Sequence, residues 1–361
     1  MSDYFEIDFL DVESKKSGDA IPLRYELNGL TYIHVVDAGF QDTGQKVVDH
    51  IRRYYGNPTH VDHVVATHPD GDHAGGLRTV LESFSVGTLW MLRPWSYASV
   101  LLPQFANYNS PTALAARLRG LYPNIAALEK IALERGIPIR EPFQGQAIGA
   151  FRVLAPSPRR YLQLILDSER TPETVEDVSK GALGLLGRGL GEALARIRKL
   201  VKGVWGHEVF SPSETSAENE MSVVQYAYLS GQRILLTADA GRSALAESAD
   251  CATAMGLPLP GIDRFQVPHH GSRRNVSTEL LDGWLGTRVV PGGQPKFTAI
   301  CSSAKLDEDH PRKSVVRAMI HRGGNFYATE GVSIVSYGGA APSRGWNSLT
   351  PRAYPDDQEE D

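Results

Sequence analysis

The sequence predicts an α/β protein built from layers of sheet and helix, and three observations support that prediction. Apolar stretches typical of strands alternate with helical patterns along the chain. The strand predicted at residues 60–67 is followed at its carboxyl end by a loop and then by a helix near residues 77–83. The chain has 361 residues, 42% of them hydrophobic, which is enough for one large globular domain or for a domain with a sizeable insertion.

Hydrophobic periodicity and turn residues place the elements in chain order. They predict short strands at 4–12 and 19–37, a short helix at 44–55, and further units of strand, loop and helix around 86–92 and 124–153. From Met221 onwards, two apolar stretches flank the turn Ser230-Gly231-Gln232, a pattern typical of a β-hairpin. A further strand is predicted before Val267.

Two insertions interrupt this alternation, at about residues 94–123 and 157–217. Within the second, apolar residues recur at steps of three and four and predict a helix with one apolar face. They are Leu183, Leu186, Leu190, Leu194, Ile197 and Val201. The other face is basic. We interpret this segment as a helix packed on the domain with a solvated basic side, while a lid, a polyanion contact, a membrane-surface helix and a docking segment for a protein partner stay open.

Composition narrows the remaining possibilities. We expect one domain over residues 1–340 and an acidic, flexible tail over residues 341–361. The net charge is −5 and the last six residues include five acids, so overall charge gives no argument for nucleic-acid binding. Two cysteines, Cys251 and Cys301, argue against a disulfide framework or a cysteine zinc site. Since no secretory signal or run of eighteen apolar residues is seen, we expect a cytoplasmic protein without a transmembrane segment.

The segment Thr67-His68-Pro69-Asp70-Gly71-Asp72-His73 is the strongest indication of chemistry. It brings two imidazoles and two carboxylates into six residues, a combination that neither a solvated turn nor an apolar core favours. Extended backbone turns alternate residues to the same side, so we expect His68 and Asp70 to bind one ion. Gly71 lets the loop double back, so we expect Asp72 and His73 to reach a second ion beside the first.

Residues from distant parts of the chain are expected to complete this site. Asp239 follows an apolar strand, where a charge is costly unless it meets water or a cation, and we interpret it as a carboxylate shared by both ions. At another strand end, one of His269 and His270 is expected to bind metal and the other to orient it or to contact substrate. His310 is a further candidate. The alternatives are a helix N-cap for Asp239 and ordinary core or surface positions for the histidines.

These motifs resemble the metallo-β-lactamase superfamily, whose usual metal signature is H-x-H-x-D-H. Asp70 replaces the second histidine, and in this respect the chain resembles the soluble hydrolase domain of ComEC-type DNA-uptake proteins and their free-standing relatives. The resemblance extends over about residues 4–336. The residues that carry it are Phe9-Leu10-Asp11-Val12, Gly18-Asp19-Ala20, Val36-Asp37-Ala38-Gly39, residues 67–76, Asn219-Glu220-Met221-Ser222, residues 235–239 and residues 267–272.

The resemblance implies an αββα four-layer sandwich with a helical insertion and with the site at one edge of two sheets. It implies that Asp37 supports the metal loop, that Asp239 is the shared carboxylate, and that the pair at residues 269–270 supplies a late ligand. Most of the superfamily has a further histidine where this chain has Asn219 and Ser222. We therefore expect one ion to be held by fewer protein ligands.

Taken together, the motifs predict a hydrolase that uses two divalent ions, Zn²⁺ or Mn²⁺, and a hydroxide that bridges them. The expected metal ligands are His68, Asp70, Asp72, His73, Asp239 and His269. The expected catalytic residues are Asp72, His270, His310 and Asp37. The expected substrate contacts are Asn219, Ser222, Ser272, Arg273 and Arg274.

The leading hypothesis for the substrate is an anion, most simply a phosphodiester in DNA or RNA. Its basis is Asp70 together with the basic pairs Arg273-Arg274 and Arg312-Lys313, which are able to bind phosphates or are ordinary surface charges. A second hypothesis is a hydrolase of a small ester, lactone, thioester or nucleotide. A third, of another class, is a metal-bearing regulatory or binding subunit that contacts a protein partner through residues 157–217.

Overall fold

Two facing seven-stranded sheets form the centre of the molecule in a computed structural model, which describes residues 3–12, 15–175 and 200–360. The first sheet contains, in spatial order, β15 (Ile334–Gly339), β1 (Tyr4–Phe9), β2 (Ala20–Leu27), β3 (Leu30–Ala38), β4 (His60–Val65), β5 (Ser85–Trp90) and β6 (Ile139–Arg140). The neighbours from β15 to β3 are antiparallel, and those from β3 to β6 are parallel.

The second sheet is mixed in the same way. Its strands are β14 (Gly324–Ala328), β13 (Phe297–Cys301), β12 (Arg264–Gln266), β11 (Gln232–Leu236), β10 (Val224–Leu229), β8 (Phe151–Ala155) and β7 (Ala147–Ile148). The strands from β11 to β14 are parallel neighbours. Strands β10 and β11 pair antiparallel across Ser230 and Gly231, whose φ values are 50° and 74°, so the predicted hairpin is confirmed.

Helices cover the outer faces of both sheets. They are α1 (Gly44–Tyr54), α2 (Gly71–Ala74), α3 (Leu77–Ser83), α4 (Ala98–Leu101), α5 (Pro111–Leu121), α6 (Pro123–Arg135), α7 (Pro158–Asp167), α8 (Ala217–Glu220), α9 (Arg242–Ala254), α10 (Thr278–Leu285) and α11 (Lys313–His321). The helices α5 and α7 begin at serine caps, Ser110 and Ser157, whose hydroxyls accept from backbone N–H groups three residues on.

The alternation of side chains along the strands divides the core into layers. Val64 of β4 packs in a cluster with α1 and α3, whereas its neighbour Val65 packs in the cluster between the sheets. Leu235 of β11 packs with α9 and α11, whereas Ile234 and Leu236 face the cluster between the sheets. The layers therefore run helix, sheet, sheet, helix, and the predicted α/β sandwich is confirmed.

The parallel strands position the functional loops. Their carboxyl ends lie at one edge of each sheet, and this edge is where open α/β sheets bind ligands. Asp37 lies near the carboxyl end of β3. The segment 67–73 follows β4, Asp239 follows β11, and the pair 269–270 follows β12. The fold thus brings the predicted motifs to a common edge.

The second insertion is described only in part. Its first residues form α7, its later part contains β9 (Leu200–Lys202), and α8 begins at its last residue, Ala217. The amphipathic pattern was predicted from Leu183 to Val201. Its residues from Leu183 to Ile197 lie outside the described residues, so their interpretation stays a prediction, whereas Val201 lies in β9 and not in a helix. Within the described part of the chain, no helix has the length and apolar character needed to cross a membrane.

The C-terminal residues are packed, contrary to the flexible tail expected from their acidic composition. Strand β16 (Asp357–Glu359) pairs antiparallel with β9, and Gln358 is fully buried. The carboxylate of Glu359 accepts from the backbone N–H groups of Lys313 and Ser314 at 2.9 and 3.1 Å. The N–H groups at the start of a helix have no acceptor within the helix, and a negative charge there is stabilising. Glu359 therefore caps α11, a structural role that composition alone does not reveal.

Candidate metal centre

The metal loop, defined as residues 67–73, is held in place by Asp37. This residue is fully buried with φ 57°. Its Oδ1 accepts from the Thr67 N–H at 2.9 Å, and its Oδ2 accepts from Thr67 Oγ1 at 2.5 Å and from His73 Nδ1 at 2.9 Å. With the Nδ1 proton engaged by Asp37, the Nε2 atom of His73 has its lone pair free for a metal ion.

Asp239 lies in the loop that follows β11, and its Oδ1 atom faces one group of side chains. This oxygen is 3.2 Å from His73 Nε2 and 3.7 Å from His270 Nε2. The Nε2 atom of His270 is in turn 3.7 Å from Asp72 Oδ2. We call Asp72, His73 and His270 the Oδ1 group.

The other oxygen of Asp239, Oδ2, faces a second group. It is 3.8 Å from His68 Nε2 and 3.5 Å from His269 Nε2. The Nε2 atom of His68 is 3.9 Å from Asp70 Oδ2, whereas Asp70 Oδ1 is 2.7 Å from Arg170 Nη2. We call His68, Asp70 and His269 the Oδ2 group. The structure therefore brings the other five residues predicted as metal ligands together around the carboxylate of Asp239.

His269 and His270 lie in a turn whose backbone orients both rings. Their φ values are 48° and 54°, a strained conformation for residues other than glycine. The Nδ1 atom of His270 donates to the Ser302 carbonyl at 2.9 Å, and that of His269 donates to Asn275 Oδ1 at 2.9 Å. Asn275 also donates to the Asp239 carbonyl at 2.9 Å. Both Nε2 atoms therefore face Asp239, and His270, which the sequence assigned to catalysis, lies among the ligands.

Several buried polar atoms of this centre have no hydrogen-bond partner. They are the Nε2 atoms of His68, His73 and His270 and the Oδ1 atoms of Asp239 and Asp19. Buried polar atoms are almost always bonded, so five such atoms at one place indicate a site built to hold a cation. Three sets of possible ligands lie within 4.8 Å of one another: Asp37, His68 and His73; Asp72, His73 and His270; and Asp19, His73 and Asp239. Imidazole and carboxylate ligands fit divalent first-row metal ions.

The charges of the centre are strongly coupled. Burial lowers the pKa values of His73 and His270, because it disfavours the charged imidazole. The negative charge of Asp239 outweighs burial and raises the pKa of His73 well above its usual value and that of His270 to about 9. Against the same effect of burial, the imidazoles hold the pKa values of Asp239 and Asp72 below the usual range. A metal ion that binds here would therefore compete with protons for the same imidazoles.

Asp19 is a residue of the centre that the sequence did not identify as one. It is 2% exposed, its Oδ2 lies 3.7 Å from His73 Nδ1 and accepts from Gln266 at 2.8 Å, and its Oδ1 has no partner. Burial raises its pKa. Gly18 permits this position, because a Cβ atom there would lie 2.6 Å from the Asp72 carbonyl oxygen. An acid next to a glycine directly before a buried strand was the signal that could have found it.

His310 lies at the rim of the centre. Its ring is nearly parallel to that of His269, with centroids 5.8 Å apart. Its Nδ1 is 3.2 Å from Asp307 Oδ2, an oxygen that also accepts from Ser17 Oγ at 2.7 Å. The structure thus brings His310 to the site, and its catalytic role stays a prediction.

The residues predicted to contact substrate differ in their placement. Asn219 lies at the centre, with Nδ2 3.2 Å from His269 Nδ1. Ser222 is fully buried, and its predicted contact with substrate stays a prediction. Ser272 is nearly buried, and its hydroxyl accepts from the Arg274 N–H at 3.3 Å, so it supports the turn.

The basic pairs are partly engaged elsewhere. Arg273 donates to the Val209 carbonyl at 3.5 Å, and the side chain of Arg274 is exposed. Arg312 pairs with Asp309 at 3.0 Å and Lys313 with Asp357 at 2.7 Å. Each residue of the second pair therefore already contacts an acid, and its predicted binding of phosphate stays a prediction.

Comparisons with known proteins agree with this geometry. Residues 31–110, which contain Asp37 and the metal loop, match the model of the metallo-beta-lactamase superfamily. A comparison with curated proteins gave no match.

The solved structures found to be similar to this chain have low TM-scores and low sequence identities. The metallo-beta-lactamase SMB-1 bound to 2-mercaptoethanesulfonate is 11% identical with a TM-score of 0.29, over 68% of this chain and 74% of that one. SMB-1 in a complex with mercaptoacetic acid is 10% identical with a TM-score of 0.29, over 70% and 75%. The hydrolase AbOPH, of the beta lactamase superfamily, is 12% identical with a TM-score of 0.29, over 61% and 56%. At these scores the similarities carry no argument about function.

Proposed function

We propose that this chain is a metal-dependent hydrolase of the metallo-β-lactamase superfamily, whose model matches residues 31–110, and that it hydrolyses phosphodiesters with two divalent ions, Zn²⁺ or Mn²⁺. The observation that carries the proposal is the position of the Asp239 carboxylate, whose oxygens face two different groups of imidazoles. One carboxylate between two groups of ligands is what a dinuclear hydrolytic site requires.

In this proposal the Oδ1 group holds one ion, the Oδ2 group holds the other, and Asp239 is shared. When bound, the ions would supply a nucleophilic water of lowered pKa and offset charge developing on the substrate. Asp37, Asn275 and the Ser302 carbonyl hold the Nδ1 sides of His73, His269 and His270. The Nε2 atoms are thus oriented in advance for ligation. Asp37 therefore acts as a positioning residue, because its contacts are with the loop.

His310 places one more imidazole at the rim of the centre. With Asp307 accepting from Nδ1, the Nε2 atom is the one available to exchange a proton with an oxygen of the substrate or of the leaving group. Asn219, beside His269, offers an amide that can contact the substrate. These two side chains are the ones we assign to the substrate side of the ions.

The substrate class follows from charge and from a sequence motif. Asp70, Asp72 and Asp239 offset three of the four positive charges of two divalent ions, and the remaining positive charge attracts anions. Asp70 is also the residue in which the sequence resembles the ComEC-type hydrolase domain, which is the reason to test nucleic acids.

Metal counting combined with turnover tests the proposal. Protein freed of metal with a chelator is reloaded with Mn²⁺ or Zn²⁺, and bound metal is counted by mass spectrometry of the elements. Activity is then measured on bis-p-nitrophenyl phosphate, single-stranded DNA, RNA and p-nitrophenyl acetate. We expect two ions per chain and metal-dependent cleavage of the phosphodiester.

Two histidine variants complete the experiment. His73→Ala should lose metal and activity, because it removes a buried candidate ligand. The matched control is His60→Ala in β4, where the side chain is 49% exposed and the change should alter neither. Full activity of metal-free protein would refute the metal site, and turnover of the carboxylic ester alone would refute the phosphodiester substrate.

A further inference from the structure

We propose that Arg170 binds the anionic group of the substrate, so that the start of the second insertion forms one side of the active site. This inference rests on the proposed function and specifies how its substrate is recognised. The residue follows α7 and belongs to no motif that the sequence identified.

Arg170 is connected to the metal centre through a single side chain, that of Asp70. The Nη2 atom lies 2.7 Å from Asp70 Oδ1, while Asp70 Oδ2 is 3.9 Å from His68 Nε2. One carboxylate can therefore bind the guanidinium with one oxygen and meet a metal ion with the other. An imidazole at position 70 could not do both, because the nitrogen that does not bind metal carries a proton and would face another donor. Asp70 and Arg170 thus suit each other.

Glu218 fixes the guanidinium from its other side. Its Oε1 lies 3.6 Å from Arg170 Nε and accepts from Ser168 Oγ at 2.5 Å and from Tyr122 OH at 3.2 Å. Glu218 is only 3% exposed. Burial works against the positive charge of Arg170, but Asp70 and Glu218 raise its pKa, so the guanidinium stays charged.

The backbone around Arg170 is anchored as well. The Arg170 N–H donates to Ser168 Oγ at 3.1 Å, and Thr171 Oγ1 donates to the Ile165 carbonyl at 2.9 Å. A few residues further on, Thr174 forms a β-bridge with Phe105 of the first insertion. A cation held in position before the ligand arrives loses less conformational freedom on binding.

Arg170 also has donors left for a ligand. Its side chain is 42% exposed, and Nη1 has no hydrogen-bond or ion-pair partner among the described residues. A guanidinium is suited to binding two phosphate oxygens at once. A partly exposed ion pair such as that with Asp70 contributes little to folding stability, so substrate binding accounts for this arrangement better than stability does.

Calorimetric titration of Mn²⁺-loaded protein with inorganic phosphate tests the proposal without needing turnover. Arg170→Ala should weaken phosphate binding about ten-fold, the effect of losing one charge-assisted contact. Arg170→Lys should lose less, because it keeps the charge but not the planar fork. The matched control is Arg159→Ala, an exposed arginine of α7 in the same insertion, which should bind phosphate like the wild type. Bound metal and the melting temperature are measured for each protein.

Turnover separates recognition from chemistry. Arg170→Ala should raise KM for bis-p-nitrophenyl phosphate more than it lowers kcat, and should raise KM for the neutral ester p-nitrophenyl acetate by less, because that ester offers the guanidinium no anionic group. Wild-type phosphate affinity in Arg170→Ala would overturn the proposal. So would a loss of bound metal that matches the loss of phosphate affinity, because Arg170 would then only position Asp70. If the wild type cleaves no phosphodiester, the proposed function fails, and the phosphate titration still decides the role of Arg170.

Discussion

Replacing Asp37 by asparagine should reduce metal affinity as well as folding stability, whereas replacing a matched carboxylate outside the centre should affect stability alone. The Oδ2 atom of Asp37 accepts two hydrogen bonds, from Thr67 Oγ1 and from His73 Nδ1, and Oδ1 accepts one from the Thr67 N–H. In the variant the amide oxygen can keep the backbone bond, and an NH₂ group then faces the other two donors. The Thr67 hydroxyl can rotate to accept from this group, but an imidazole can adapt only by moving its proton.

The magnitude follows from that proton. If the NH₂ group donates to His73 Nδ1, the ring proton moves to Nε2, which lies 3.2 Å from Asp239 Oδ1. The lone pair that we propose binds metal is then occupied. Changes to partners of metal-binding histidines lower metal affinity by about 10–100-fold, and we expect a loss in this range. Because one bond is kept and one is replaced, the free energy of unfolding of metal-free protein should fall by only about 1–3 kcal/mol.

Metal titration and urea unfolding of the metal-free protein measure the two effects separately. The matched control is Asp62→Asn in β4, where the carboxylate accepts from the Ile33 N–H at 2.8 Å. This control should lose about 1 kcal/mol of stability and no metal affinity. Wild-type affinity for both ions in Asp37→Asn would refute the reasoning, as would an equal loss of affinity in the control.

Three further predictions concern the shared carboxylate and two buried acids. Asp239→Asn should lower bound metal from two ions to one or none, counted by elemental mass spectrometry, because a neutral amide does not replace a carboxylate shared by two cations. Glu208 is 1% exposed; burial raises its pKa, but bonds from His321 and Arg322 outweigh this and lower the pKa from 4.5 to about 2. Its carboxylate therefore stabilises the fold above pH 4.5, and this stability is lost as the pH falls towards 2. Glu208→Gln should be destabilised by roughly 3 kcal/mol at pH 7, and urea titrations should show the difference from wild type disappearing in acid; a difference independent of pH would contradict this. Glu359→Ala should lower the free energy of unfolding by about 1 kcal/mol in the same assay, because it removes the acceptor for two N–H groups of α11; an unchanged value would mean that the tail does not cap this helix.

Local patterns of the sequence were sufficient to predict the layers and the metal loop. The alternation of Val64 and Val65 reports which side of β4 each residue faces, since neighbouring strand residues point to opposite faces. The hairpin around Ser230 is encoded by residues that lie next to one another. The metal loop was detectable because its candidate ligands lie within one short segment.

Residues that act through distant partners were not predictable in the same way. The acidic composition of the C-terminal residues predicts a flexible tail. The sequence gives no sign of their packing, because only folding brings the start of α11 close to Glu359. Both His269 and His270 face the shared carboxylate because they lie in a turn with positive φ, which periodicity does not reveal.

The amino-acid order by itself determined that strands alternate with helices and that imidazoles and carboxylates meet in residues 67–73, because both properties depend on neighbours along the chain. The tertiary structure alone decided that Asp19 lies under His73, that Arg170 contacts Asp70, and that each oxygen of Asp239 faces its own group of histidines. Distances of a few ångströms between groups far apart in the chain result from the packing of two sheets, and no local pattern encodes them.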